Sequence, residues 1–266
     1  CGSRVMREQS FDVALVDEAS QLTEPSTLAA TNLADRFVLV GDHQQLPPVV
    51  QAGPTPGGDD AGASAGDDDA GAGAGDGDAN ALSTSLFERL IDAHPDASVL
   101  LDRQYRMAQR IQAFSSQEFY DGALRPASGS VAAQGLADLG VDEGALPPAL
   151  RDPVAFVDPQ GERVGNTNPA EADRVADLVD AYVDAGVDPD DIGVIAPFRA
   201  QVAEIARRTD VSVDTVDRFQ GSAKEVILVS FVASGTLDGP LFEDHRRMNV
   251  ALTRAKKALT LVGDAD

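Results

Sequence analysis

The sequence predicts an α/β fold in which mostly parallel strands form sheets with helices on both faces. Short apolar segments recur along the 266 residues, and segments with helical periodicity separate them. The apolar segments are nearly continuous rather than alternating, which is typical of parallel strands that are buried on both faces. Several end abruptly in glycine and charged residues. In open parallel sheets, functional sites lie at the carboxyl ends of the strands.

The first part of the chain contains two predicted strands, FDVALVD and RFVLVGD, and one predicted helix, SLFERLIDA. Between the second strand and the helix lies a segment of low complexity. Residues 51–81 comprise nine Gly, nine Ala and seven Asp among other residues, with no basic or aromatic side chain. Such a segment buries too little apolar surface to offset its ordering entropy, so we predict a disordered insertion. An interaction tail is the alternative.

The second part begins with a predicted strand, SVLLD, a helix from Met107 to Phe119, and an irregular connection from Gly122 to Asp152. A longer helix begins after Asn168, a favourable N-cap residue, and ends at Gly186. Its apolar side chains recur on one face. The remaining predicted strands are DIGVIAPF, VSVDTV, EVILVSFV and ALTLVGD, with helices near Arg199–Arg208 and Asp244–Lys257. We therefore expect two domains, residues 1–98 and residues 99–266.

Composition restricts the class of protein. The net charge is −23, and only three of the 21 basic residues are lysines, which favours an organism that lives at high salt. The overall sign of the charge therefore says little about partners. A single cysteine, Cys1, excludes an internal disulfide framework and a cysteine-rich metal site, and a reducing cytoplasm is the expected location. No apolar run approaches a membrane span, so no membrane partner is expected.

The first candidate site is the acid pair Asp17-Glu18, which ends the strand FDVALVD. At the carboxyl edge of a parallel sheet, one carboxylate can hold magnesium, and its neighbour can activate a water for attack on a phosphoryl group. A bare acid pair is more often a solvated strand end, but the full string VDEASQ is much more specific. The string GDHQQLPP ends the next strand and places Gln45 where it can sense a terminal phosphate.

These strings resemble motifs II and III of superfamily 1 helicases, in the 5′-to-3′ branch that contains the nonsense-mediated-decay RNA helicase and the replication nuclease-helicase. LLDRQYRM resembles motif IV, TVDRFQGSAKEVILVSF motif V and RRMNVALTRAKKALTLVGD motif VI. The motifs occur in the order of that family. The resemblance implies two RecA-like P-loop NTPase domains, of which the first is incomplete here, with ATP and magnesium bound between them.

The resemblance also implies roles for individual residues. Asp17 would coordinate magnesium, Glu18 would be the general base, and Gln45 would sense the terminal phosphate. The other implied nucleotide contacts are Tyr105 near the adenine, Arg106 at the terminal phosphate, Gln220 and Gly221 of motif V, and Arg254 as the arginine finger.

The implied nucleic-acid contacts are Thr215, Asp217 and Arg247. Arg247 also belongs to the densest basic cluster of the chain, together with Arg246, Lys256 and Lys257. For these basic residues, a solvated surface charge is an equally good interpretation.

The sequence departs from the family in one large respect, because no G-x-x-x-x-G-K-[ST] string occurs. We expect the phosphate loop to precede residue 1 in a longer polypeptide, so the 266 residues alone would be inactive. Some relatives also carry a nuclease domain upstream. Ala223 stands where the family often has an acid that contacts the ribose.

The sequence therefore predicts the C-terminal part of an ATP-dependent helicase or translocase that moves on single-stranded DNA or RNA in replication or repair. Two alternatives remain open. One is a nucleic-acid-binding module without ATPase activity. The other is a P-loop ATPase switch that remodels a protein partner.

Overall fold

The computed structural model describes residues 9–48, 85–233, 235 and 237–264. The chain divides into two compact units, Cys1–Ser98 and Val99–Asp266. The insertion predicted at residues 51–81 lies outside the described residues. In the part of the chain that the structure describes, no helix is both long and apolar enough to cross a membrane.

The first unit contains a two-stranded parallel sheet. Strand β1 (Phe11–Val16) pairs with β2 (Ala34–Leu39), and helix α1 (Glu24–Thr31) connects the two strands. Helix α2 (Leu86–Ala93) follows, and the Ser85 hydroxyl caps its N-terminus by accepting a backbone N–H of the first turn. The two predicted strands and the predicted helix are confirmed.

Apolar side chains of this small sheet remain exposed. Phe11, Val13 and Leu15 alternate along β1 and are exposed, Leu15 by 69%. Among the described residues, β2 is the only strand that pairs with β1. A two-stranded sheet is only marginally stable by itself. Because the apolar side chains of β1 are exposed, they add little buried apolar surface to stabilise this unit.

The second unit contains a five-stranded parallel sheet. Its strands are β5 (Val154–Val157), β6 (Ile192–Ala196), β7 (Ser212–Thr215), β8 (Lys224–Ser230) and β9 (Ala255–Val262). Their order across the sheet is β5-β9-β8-β6-β7, and every pair is parallel. The apolar sequences of β6 and β8 are explained by their central positions, where helices cover both faces. The predicted α/β class with parallel sheets is therefore confirmed.

The helices of this sheet are α5 (Pro169–Asp184), α6 (Arg199–Ala206), α7 (Val216–Phe219), α8 (Pro240–Glu243) and α9 (His245–Leu252). A smaller part of the unit precedes them and contains β3 (Arg103–Gln104), α3 (Gln109–Phe119), β4 (Arg125–Pro126) and α4 (Gly129–Ala133). The predicted apolar face of α5 is buried. The predicted cap is also confirmed, because Asn168 Oδ1 accepts the Glu171 N–H at 3.1 Å.

The predicted strand SVLLD is wrong. Residues 98–102 form no strand, and Val99, Leu100 and Leu101 are all exposed. The run is apolar but has no pairing strand among the described residues, so its composition alone does not make it a strand. Strand β5 was not predicted, because its four residues VAFV are too short to stand out between the flanking polar residues.

The helix predicted for Asp244–Lys257 is wrong at its C-terminal end. Helix α9 ends at Leu252, and β9 begins at Ala255. The residues from Ala255 onward pair with β8 and complete the sheet, and this pairing overrides their helical propensity.

Candidate active site

The acid pair of the first unit lies in a tight turn directly after β1. Asp17 and Glu18 are both exposed, and Glu18 has a left-handed backbone (φ 52°) that is uncommon for a residue other than glycine. The Glu18 N–H donates to Asp17 Oδ1 at 2.9 Å, and Gln21 Nε2 donates to Glu18 Oε2 at 2.6 Å. These bonds orient both carboxylates at the carboxyl edge of the sheet.

The turn after β2 packs against the turn after β1. The Ala19 N–H donates to the Val40 carbonyl at 2.8 Å, and the Asp42 N–H donates to Ser20 Oγ at 3.2 Å. A Cβ atom on Gly41 would lie 2.9 Å from the backbone nitrogen of Ser20, so this close approach requires glycine. The two predicted motifs therefore meet at one edge of the sheet.

Asp42 holds the phosphate-sensing candidate Gln45 in place. Gln45 Nε2 donates to Asp42 Oδ2 at 2.8 Å, and the backbone N–H of Gln44 donates to Asp42 Oδ1 at 2.9 Å. Asp42 was not among the predicted site residues. The signal was present in the sequence, since an aspartate after a strand-ending glycine often orders the following turn.

The acid pair fits a magnesium ion that is shared with a phosphate. Mg²⁺ is usually held by one or two protein carboxylates, with water and substrate phosphates as its other ligands. Asp17 and Glu18 supply two adjacent exposed carboxylates. The described residues contain no group of three or more His, Cys, Asp or Glu side chains able to hold a metal, so they offer no closed protein site.

In the second unit, Gln104 shapes the turn that carries Tyr105 and Arg106. Gln104 Oε1 accepts the N–H groups of Arg106 at 2.8 Å and Met107 at 2.7 Å, and Gln104 Nε2 donates to Gln112 Oε1 at 2.7 Å. The Tyr105 side chain is left 79% exposed on this anchored turn. An exposed aromatic ring on a fixed backbone suits stacking on a base.

The two predicted catalytic arginines, Arg106 and Arg254, both contact Thr253. Arg106 Nη1 donates to the Thr253 carbonyl at 3.2 Å, and Arg254 Nη2 donates to Thr253 Oγ1 at 3.0 Å. Arg106 and Arg254 are 148 positions apart in the numbering, and one residue of the turn after α9 brings them together. Thr253 was not predicted as a site residue.

Arg254 is buried within its own unit. It is 2% exposed, its Nε donates to the Val250 carbonyl at 3.0 Å, and its Nη1 donates to the Ser222 carbonyl at 3.4 Å. The expectation that Arg254 lies on a helix is wrong, because it follows the end of α9 and directly precedes β9. Its contact with Ser222 connects it to the motif V turn, where the predicted residue Gly221 has φ 80°.

The predicted nucleic-acid residues lie between β7 and α9. Thr215 ends β7, and Asp217 lies in α7 with its Oδ1 3.7 Å from Arg247 Nε, too far for a hydrogen bond. Arg247 Nε and Gln220 Nε2 are buried, and within the described part of the chain neither has a hydrogen-bond partner. Because buried donors without a hydrogen-bond partner are rare, both atoms are candidates for a hydrogen bond to an ordered water or to a ligand.

The basic cluster of motif VI is divided by Glu225. Lys256 and Lys257 each place Nζ 2.6 Å from one carboxylate oxygen of Glu225. Burial opposes ionisation of Glu225, but the hydrogen bonds and charges of the two lysines outweigh it and lower its pKa. The two lysines are therefore engaged by their own unit, and Arg247 remains the better candidate for a nucleic-acid contact.

Comparison with known proteins identifies the family. Two family models, each described as an AAA domain, match residues 1–52 and 82–266. The chain therefore belongs to the AAA domain family.

The sequence relatives are named ATP-dependent helicases, in agreement with the resemblance to superfamily 1 helicases. The DNA replication ATP-dependent helicase/nuclease DNA2 of Xenopus laevis is 38% identical over 97% of this chain and 25% of its own length. An uncharacterized ATP-dependent helicase of Methanocaldococcus jannaschii is 34% identical over 99% of this chain and 37% of its own length. This chain thus spans a quarter to just over a third of these relatives. Among solved structures, the PRRSV helicase is 16% identical over 94% of this chain and 34% of that chain, with a TM-score of 0.45.

Proposed function

We propose that the chain is part of an ATP-dependent superfamily 1 helicase or translocase that couples ATP hydrolysis to movement on single-stranded nucleic acid. The observation that carries this proposal is the meeting of Arg106 and Arg254 at Thr253, beside the motif V turn. Two guanidinium groups held in one place suit the charge that spreads over a phosphoryl group in the transition state.

In this mechanism the first unit supplies the acids. Asp17 would hold the magnesium ion, which neutralises phosphate charge when bound. Glu18 accepts a proton from the attacking water, and Gln45 senses the terminal phosphate from its position on Asp42.

The second unit supplies the arginines. Arg106 and Arg254 would act on the terminal phosphate. For Arg254, which is buried, this requires the guanidinium to give up hydrogen bonds within its own unit. The exposed ring of Tyr105 would stack on the base. Since the acids and the arginines belong to different units, hydrolysis would require both units to act on one nucleotide, and this requirement would couple chemistry to movement. Gln220 and Gly221 contribute from the motif V turn.

Thr215, Asp217 and Arg247 would contact the nucleic-acid backbone. Arg247 Nε forms an ion pair with Asp217 but has no hydrogen-bond partner among the described residues, so it could donate to a phosphate oxygen. Phosphate contacts position a strand without reading its sequence. The names of the relatives favour DNA, and a role in replication or repair, while the motifs themselves allow RNA.

The complete polypeptide would also contain the phosphate loop upstream of this chain, and a nuclease domain as in the helicase/nuclease relatives. The acidic, lysine-poor composition supports an origin in a halophilic archaeon. The single cysteine supports a cytoplasmic location.

ATP hydrolysis by the complete protein, measured with and without single-stranded DNA or RNA, tests this function. We expect strong stimulation by single-stranded DNA. Activity that is indifferent to nucleic acid would instead support a switch that remodels a protein partner. Binding of single-stranded DNA without hydrolysis would support a nucleic-acid-binding module.

A further inference from the structure

A buried polar cluster lies where β8 ends. It consists of Asn168, Glu171, Gln201, Ser230 and Val232, hereafter the Glu171 cluster. The side chains of its polar members are 0–1% exposed. None of these residues belongs to the predicted catalytic or nucleic-acid contacts. Burying a carboxylate costs free energy unless hydrogen bonds or an opposite charge compensate it, so the hydrogen bonds of Glu171 are its important feature.

Glu171 binds the chain at the exit of β8. Its Oε1 accepts the Ser230 hydroxyl at 2.6 Å and the Val232 N–H at 3.0 Å, and its Oε2 lies 3.2 Å from the same N–H. Within the described residues, Glu171 forms no ion pair. Its carboxylate therefore depends on these neutral donors.

Val232 has an unusual backbone. Its φ is 56°, in the left-handed region that β-branched residues rarely adopt. Such a conformation persists only where the surroundings determine it, and it occurs most often at functional sites. Here the surroundings are the Glu171 carboxylate, which accepts the N–H of the strained residue.

Gln201 fixes the rest of the cluster. Its Nε2 donates to Ser230 Oγ at 3.1 Å, and its Oε1 accepts the Asn168 N–H at 2.9 Å. The start of α5, the first turn of α6 and the end of β8 are thus tied to one point. Glu171 is held in a single orientation by this network.

The connection from β8 to α9 follows Val232, and its residues 234 and 236 lie outside the described residues. The Gly235 N–H donates to Asp264 Oδ2 at 2.8 Å, and Arg163 Nη1 donates to Asp238 Oδ1 at 2.7 Å. Helix α9 and its Arg247 follow a few residues later. The turn at Val232 sets the direction in which this connection leaves β8.

We propose that Glu171 is a positioning residue for ATP turnover. Its carboxylate holds the left-handed turn at Val232 and thereby fixes how the connection to α9 leaves β8. Helix α9 carries Arg247, and Arg254 follows its end. This inference rests on the proposed ATPase function. It adds Glu171, which is not one of the predicted nucleotide contacts, to the residues that hydrolysis needs.

Rescue by glycine tests the proposal in the complete protein. Glu171→Ala should lower kcat at least tenfold and leave the KM for ATP within about twofold. In a Val232→Gly background the same change should lower kcat less than about threefold, because glycine adopts a positive φ without a steric penalty. An equal loss in both backgrounds, or no loss from Glu171→Ala, would overturn the proposal. If Glu171→Ala does not fold, Glu171→Leu, which also lacks an acceptor, is judged by the same criteria.

Backbone amide exchange separates this inference from the proposed function. Exchange at Val232 and Ala233 should accelerate at least tenfold in Glu171→Leu, which has no acceptor for the Val232 N–H. Unchanged exchange would refute the turn-holding role. Asp177→Asn, on the exposed face of α5, is the matched control and should change neither kcat nor exchange. A wild-type protein without ATPase activity would remove the proposed function and the catalytic consequence, whereas exchange would still decide whether Glu171 holds the turn.

Discussion

Thr253 serves both predicted catalytic arginines through different atoms. Its carbonyl accepts from Arg106, and its hydroxyl accepts from Arg254 while donating to the Asn249 carbonyl at 2.8 Å. The hydroxyl therefore fixes the guanidinium of Arg254 relative to the C-terminal end of α9. A side chain without the hydroxyl would remove one acceptor of the buried Arg254 guanidinium.

Thr253→Val should lower kcat by about tenfold or more, because a hydrogen bond to a charged group contributes about 1.5–3 kcal/mol. Thr253→Ser keeps the hydroxyl and should stay near the wild-type value. Steady-state ATP hydrolysis by the complete protein measures both. Equal losses in the two variants would show that the hydroxyl has no such role.

Glu171 should make stability depend on pH. Burial raises its pKa from 4.5 to about 7, against the opposing hydrogen bonds from Ser230 and the backbone of Val232. Between these values the folded state retains a proton that the unfolded chain has released. Its stabilising contribution is therefore full below pH 4.5 and is lost as the pH rises through 7.

The Glu171→Gln variant has no group to titrate at this position. Relative to wild type, its stability should therefore increase as the pH rises from 5 to 7, by up to about 1.4 kcal/mol of unfolding free energy per pH unit, and the difference should level off above pH 7. Urea unfolding at several pH values measures the difference. A difference that is constant across this range would contradict the raised pKa.

At the residue scale, the sequence predicts those site residues that belong to short continuous motifs directly after a strand. Asp17, Glu18 and Gln45 follow strands directly, and the structure places them on one sheet edge. The supporting contacts were not predictable in the same way. Thr253 reaches Arg106 across 147 positions, and Glu171 reaches Val232 across 61, so only the folded sheet brings them together.

The strands differ sharply in how well they are covered. β6 and β8 lie at the centre of a five-stranded sheet and are almost wholly buried, whereas β1 exposes three apolar side chains. Buried apolar surface is the main stabilising contribution to a fold. The second unit should therefore be much more stable than the first.

Limited proteolysis of the 266-residue chain tests this difference. We expect residues 9–98 to be cleaved early and residues from about Val99 onward to survive as one fragment, because proteases act on locally opened segments. Mass spectrometry of the fragments identifies the boundary. Equal protection of both units would contradict the expectation.

At the element scale, long apolar segments were predicted well and short ones poorly. Continuous apolar sequence and a clear helical face specified β6, β8 and α5. The strand predicted at SVLLD failed because apolar composition does not provide a pairing partner. The end of α9 failed because pairing between β8 and β9 decides where the helix stops.

The 266-residue chain carries a net charge of −23, and folding brings its many acidic side chains close to one another. Self-repulsion of this kind destabilises the compact state and is screened by salt. The melting temperature should therefore rise by several degrees between 0.1 M and 2 M KCl. Differential scanning calorimetry measures this shift. A melting temperature that falls with KCl would contradict an adaptation to high salt.

The central claim is that the acids of the first unit and Arg254 of the second act on one nucleotide. The most direct test is the kcat for ATP hydrolysis in the complete protein with Glu18→Gln, Arg254→Lys and both changes. Arg207→Lys, a substitution at an exposed arginine of the same unit, is the control and should have no effect. Arg254→Lys keeps the charge but loses the planar donors of the guanidinium.

Each active-site change should lower kcat by about 10³-fold or more, while Glu18→Gln still binds ATP. The double variant should lie within about threefold of the slower single variant, because groups that act together in one step are not additive. Losses that multiply in the double variant, or full activity of Arg254→Lys, would contradict a shared nucleotide.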